Sequence, residues 1–247
     1  MIVFPAIDLR NGQCVRLTRG DFASARIYER DPVLQAQRFA AAGADWLHIV
    51  DLDGAQDEQS RQLDVIQEIA KRALLRLQVG GGIREASAVE QLLDCGIERV
   101  VIGSLAAREP ERVKDWLRHF GPARIVLAFD VGLNDAGEPL VFTSGWQRES
   151  GQTLWDLLPL YADQGLQTIL CTDIGRDGTL SGPNRALYQA IRRRWPSLDV
   201  LASGGIRDSD DLDDLASLGL AGAIVGKALY EGRIELTEAT WRVKHAR

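Results

Sequence analysis

Two aspartates 122 residues apart, Asp8 in AID and Asp130 in AFD, each close a short apolar run. Two carboxylates facing one cavity in unlike surroundings have their pKa values pushed apart, leaving one as a general base and the other as a general acid. Aspartate is also an ordinary turn former and helix cap, so the pair has catalytic meaning only if both face the same pocket. A third polar group follows the apolar run ending at Cys171. CTDIGRDGTLSGPN crowds Thr172, Asp173, Asp177, Gly178 and Thr179 onto a glycine-broken loop, and its counterpart in the first half is VDLDGA, with Asp51 and Asp53.

Around these acids stand two matching glycine-rich stretches, VGGGIR and ASGGIR. Sliding residues 76–105 by 123 positions lays Gly81, Gly82, Ile83, Arg84, Leu92, Gly96 and Gly103 on identical residues without a gap. Each copy reads as strand, double glycine, helix, strand and a further glycine, followed by Ser104 in one and Lys227 in the other. Bare backbone allows φ > 0 and lets N–H groups close on an anion, and a helix start adds its positive end. A single double glycine reads more simply as a tight turn. The duplication, which repeats the second glycine at the same distance, favours two phosphate grips, one at Gly82, Arg84, Gly103 and Ser104, the other at Gly205, Gly226 and Lys227. No nucleophile with a partnered base, no metal-ligand spacing and no dinucleotide GxGxxG is present. What remains is cofactor-free proton transfer on a small molecule with a phosphate at each end.

The elements that must position these residues alternate regularly. Strands are expected at 2–7, 46–50, 74–79, 99–102, 125–129, 168–171, 198–202 and 223–225, and helices at 32–42, 61–72, 86–95, 110–120, 153–164, 185–195, 209–218 and 235–245. Asp31 followed by Pro32 marks the first helix start. Eight strand–helix units in 247 residues fit a (β/α)8 TIM barrel, made of two repeated (βα)4 halves at about 1–122 and 123–247 in a single domain. In such a barrel, strand ends one and five lie across the mouth from each other. Two connections exceed what barrel turns need, residues 9–30 and 131–151, which hold Arg16, Arg19 and Trp146; connections this long are usually lids or binding loops, with a surface ornament as the alternative.

Composition narrows the class. A formal charge of −6 argues against a nucleic-acid or membrane-surface binder. Three dispersed cysteines, no basic apolar leader and no run of about 18 apolar residues predict a reduced, cytoplasmic protein without membrane association. No sequence feature marks an interface, so a monomer is expected.

AIDLRNGQCVRLTRGD, AAGADWLHIVDLDGA, VGGGIR, CTDIGRDGTLSGPN, ASGGIR and VGKALYEG together resemble the phosphoribosylformimino-5-aminoimidazole carboxamide ribotide isomerase family of histidine biosynthesis, over Ile2 to about Gly232. The resemblance implies an intramolecular aldose–ketose isomerase performing an Amadori rearrangement without a cofactor. It implies Asp8 as base, Asp130 or Asp177 as acid, Thr172 on the reacting sugar, and Arg16, Arg19 and Trp146 as lid residues, with Trp146 stacking on the imidazole. The related imidazole glycerol phosphate synthase barrel shares the half-barrel repeat and the paired aspartates, but is expected to carry a Lys after strand one and a Cys–Leu–Asp start, both missing here. An isomerase that also serves tryptophan synthesis and a silent phosphosugar-binding barrel are the other readings.

Overall fold

The computed structural model describes residues 1–18 and 20–245, so Arg19 lies outside the described residues. Its strands are β1 (Ile2–Arg10), β2 (Gln13–Thr18), β3 (Asp21–Glu29), β4 (Trp46–Asp51), β5 (Arg76–Gly80), β6 (Arg99–Ile102), β7 (Ile125–Leu133), β8 (Pro139–Thr143), β9 (Arg148–Thr153), β10 (Thr168–Asp173), β11 (Asp199–Ser203) and β12 (Gly222–Val225). Eight of them pair in parallel in the order β1, β4, β5, β6, β7, β10, β11, β12, and β12 pairs back onto β1. The sheet is thereby a closed (β/α)8 barrel, as the alternation predicts.

Both faces of each barrel strand are covered, which explains their near-continuous apolar runs. Phe4, Ala6, Trp46, Val101, Val126, Leu170, Leu201 and Ile224 fill the barrel interior. The opposite parity, including Val3, Ile7, Leu47, Ile49, Leu127, Ile169 and Val200, packs under the helices. The first helix, Pro32–Ala41, starts where expected, because the Asp31 side chain accepts from the Val33 and Leu34 amides.

Three local expectations change. Residues 9–30 and 131–151 are hairpins rather than loops: β2 and β3 add antiparallel to β1, and β8 and β9 add antiparallel to β7. The fold thus repeats the same extension on the first strand of each half. The helix expected over 153–164 is a short α-turn, Leu154–Leu157, continued as a 3-10 segment, Leu158–Gln164. Pro159 has no N–H to donate to residue 155, so the α pattern cannot run through it. Two short helices, Ser104–Arg108 and Lys227–Tyr230, follow β6 and β12 directly.

Candidate active site

Interior parity fixes where the site residues point. Phe4 and Ala6 face the barrel axis, so Asp8, two residues further along β1, faces it too at the C-terminal mouth. Val126 and Ala128 do the same for Asp130 on β7, and Leu170 for Thr172 on β10. In the ring, β1 and β7 are opposite one another, and so are the β5/β6 and β11/β12 pairs that lead into the glycine stretches. The two acids and the two glycine stretches therefore share one mouth, with their axes crossing.

Asp8 is nearly enclosed, its side chain 16% exposed, and Arg16 Nη1 on β2 stands 3.0 Å from its Oδ1. Burial pushes the Asp8 carboxyl up to about 6; the Arg16 charge opposes this and the nearby Asp177 reinforces it. Asp177 is also raised by burial, against the pull of Arg16, Lys227 and the Gly178 amide. Lys227 Nζ donates to the Gly178 carbonyl at 2.8 Å, which ties the loop carrying Asp177 to the start of the last short helix.

Asp130 is held differently. Burial raises its carboxyl, the Trp146 indole and the Thr172 hydroxyl pull it back as donors, and Asp177 raises it again. Thr172 is the register neighbour of Asp130 on one side and of Ser203 on the other. Trp146 sits in the turn between β8 and β9 with φ +70°, a left-handed backbone costing an L residue about 1–2 kcal/mol. Its ring lies against Gly20 in the turn between β2 and β3, where an added Cβ would come 2.6 Å from it. The two hairpins thus touch above the mouth.

The glycine stretches have matching backbones. Gly103 precedes its short helix with φ −94° and ψ −109°, and Gly226 does so with φ −108° and ψ −94°. At the second stretch Arg16, Asp177, Gly205, Gly226 and Lys227 border one cleft, and Ser203 joins its lining with no sequence signal beyond being the register partner of Thr172. At the first stretch Ser104 Oγ accepts from the Ser144 amide of the β8–β9 turn at 3.0 Å. Arg84 extends away to donate to the Gly54 and Ala55 carbonyls, so its charge serves the neighbouring loop.

The double glycines answer a second demand that spacing does not reveal. Gly81 and Gly82 have φ +110° and +65°, and added Cβ atoms would overlap the backbone carbonyls of Asp51 and Gly54. Gly204 and Gly205 have φ +96° and +87° and press in the same way on Asp173 and Gly182. The buried carboxylates Asp51 and Asp173 organise those facing loops. Asp51 accepts from the Gly54 and Gln62 amides at 2.9 and 2.8 Å, and Asp173 from the Gly175 amide at 3.0 Å and Asn184 Nδ2 at 2.7 Å. Asp51→Ala leaves two inward amides without acceptors, each worth about 1–3 kcal/mol. It is expected to destabilise the fold by about 3 kcal/mol in denaturant unfolding; an unchanged midpoint would remove Asp51 from this role.

A model of the histidine biosynthesis protein family matches residues 2–235. The chain is 48% identical over 239 residues to the 1-(5-phosphoribosyl)-5-((5-phosphoribosylamino)methylideneamino)imidazole-4-carboxamide isomerase of Elusimicrobium minutum, covering 97% of this chain and 99% of that protein. The proteins of the same name from Alteromonas mediterranea and Klebsiella pneumoniae are 48% and 46% identical over 238 residues, each covering 96% of this chain and 97% of the relative.

Proposed function

This chain belongs to the histidine biosynthesis protein family, and from that premise we propose that it is an aldose–ketose isomerase acting on the bisphosphorylated compound for which its relatives are named. The observation that carries the reading is the placement of Asp8 and Asp130 on opposite strands of one mouth, between two glycine-lined stretches of matching geometry. One phosphate goes to Gly82, Gly103 and Ser104, the other to Gly205, Gly226 and Lys227, and the ribose between them meets the carboxylates.

An acid protonates the furanose ring oxygen, and the ring opens to a protonated Schiff base. A base then removes the C2′ proton, giving an enolamine that tautomerises to the ketose. Asp8 is the base: pushed up to about 6, it is ionised near neutral pH yet basic enough to accept a carbon-bound proton. We assign the acid to Asp130. Its donors are the neutral groups Trp146 and Thr172 and the Asp177 carboxyl raises it further, whereas Asp177 faces the cations Arg16 and Lys227, which favour its ionised form. Trp146, donating to Asp130 from the hairpin turn, also offers a flat face to the imidazole. The names of the relatives favour the isomerase over the synthase and the silent-binder readings.

The test is an ultraviolet assay of the purified protein with the ribosyl substrate and the ammonia-using synthase that consumes the product. A change in the spectrum that needs both proteins supports the isomerase, and no change over a tenfold excess of protein removes it. The pH profile follows from Asp8. Because its raised pKa keeps it protonated in acid, kcat/KM is expected to rise tenfold per pH unit below a midpoint near 6 and to turn down again only where the acid Asp130 ionises. A flat profile between pH 5 and pH 7 would exclude Asp8 as the base.

A further inference from the structure

Arg16 stands where the second glycine stretch meets the Asp8 carboxylate. Its Nη1 lies 3.0 Å from Asp8 Oδ1, while its Nη2 end packs over Gly226 so closely that a Cβ there would overlap the guanidinium. The side chain is 13% exposed, and Nη1, though paired in charge with Asp8, makes no hydrogen bond. One buried cation thus bridges a catalytic carboxylate and the floor of an anion cleft, with donor capacity to spare.

We propose that Arg16 is a positioning residue coupling anion occupancy of the Gly205–Gly226–Lys227 cleft to the proton affinity of Asp8. The inference rests on reading that cleft as a phosphate site. A dianion seated over Gly226 shares or draws off the guanidinium, and Asp8 then loses the cation that, among the described residues, opposes its protonation. Among the described residues, the other groups around the pair do not replace it. Asp177 pushes the Asp8 pKa up rather than down, Cys14 and Tyr230 are held protonated by burial, and burial together with Arg16 keeps His48 neutral, pushed down to about 3. Lys227 reaches Asp177 rather than Asp8. Seating the phosphate therefore makes Asp8 a stronger base at the moment the C2′ proton comes within reach, so binding energy from a remote group appears in kcat.

Sulfate is the probe, because it is a tetrahedral dianion that does not itself titrate near neutrality. Carbon-13 carboxyl titration of the full-length protein, with Asp8 assigned by its absence in Asp8→Asn, is run at constant ionic strength with and without saturating sulfate. In the parent, the Asp8 midpoint is expected to rise by about half a pH unit or more with sulfate. In Arg16→Met it is expected to start above the parent's and to move by less than about a third as much. Arg16→Gln is shorter but still donates hydrogen bonds while removing the charge, and is expected to behave like Arg16→Met if that variant does not fold. Equal sulfate shifts in parent and variant would overturn the coupling, as would sulfate that perturbs the Gly226 and Lys227 amides without moving Asp8. Sulfate that leaves those amides unperturbed would overturn the phosphate reading of the cleft along with it. Absent turnover with the sulfate coupling intact would sink the isomerase reading alone.

Discussion

Asp8→Asn is expected to lower kcat by about 10³-fold, within the range of about 10² to 10⁴ that a positioned acid–base group supplies, while product affinity stays within a few-fold of the parent. The amide keeps the shape of the carboxylate and still lies beside Arg16, but it cannot accept a carbon-bound proton. Stability should separate this effect from damage. Asp8 binds its proton more tightly in the folded protein, at about 6, than the ordinary value of 3.8. Its contribution is therefore fully present below the unfolded pKa and is lost as pH rises toward 6; by pH 7 the ionised carboxylate costs on the order of 3 kcal/mol. Replacing it by a neutral amide relieves that cost, offset in part by the counterion Arg16 loses. The variant is expected to melt no lower than the parent at pH 7.5, with any advantage gone at pH 4. Turnover within tenfold of the parent would remove Asp8 from the base role, and a large fall in melting temperature would make lost activity uninformative.

Gly82→Ala carries the largest expected effect on the fold. Its φ of +65° costs an L residue about 1–2 kcal/mol. The new Cβ would also overlap the Gly54 carbonyl, which cannot rotate away as a side-chain end could, adding about 1–3 kcal/mol. A loss of about 3 kcal/mol or more, seen as a fall in melting temperature on the order of 10 °C, follows for a chain of this size. Gly205→Ala should match it, because Gly205 meets the Gly182 carbonyl while its own carbonyl accepts from the Gly182 amide at 2.8 Å. Weakened ligand binding in either variant would therefore not by itself demonstrate a phosphate contact. Gly103→Ala is the cleaner probe, since a Cβ there meets nothing within 4 Å. It should change stability by less than about 1 kcal/mol while reducing anion affinity. Melting temperatures of the Gly82 and Gly205 variants within about 2 °C of the parent would contradict the close approach.

The barrel and its acids were legible in the sequence because their signals are local and doubled. AID and AFD lie at equivalent places on buried strands that run two or three residues beyond them, and Asp31–Pro32 states its own cap. The two hairpins were not legible. RLTRGDFASARIYER puts charges on both faces of β3, whose residues lie exposed or half-buried, so no clean alternation marks it as a strand. The short helices after Gly103 and Gly226 span five and four residues, too few for a helical period to show. The structural duty of Gly82 was hidden for another reason. Its constraint is the Gly54 carbonyl, 28 residues earlier in the chain and adjacent only once β4 and β5 pair. Arg84 shows the same limit, since its repeat with Arg207 suggested an anion contact while its donors reach the carbonyls of that same loop.

The most direct measurement is a crystal structure of Asp8→Asn soaked with the bisphosphorylated substrate. One phosphate is expected on Gly82, Gly103 and Ser104, the other on Gly205, Gly226 and Lys227, with the ribose C2′ against residue 8 and its ring oxygen facing Asp130. Both phosphates at one side of the mouth, or a ribose beyond reach of residue 8, would contradict it.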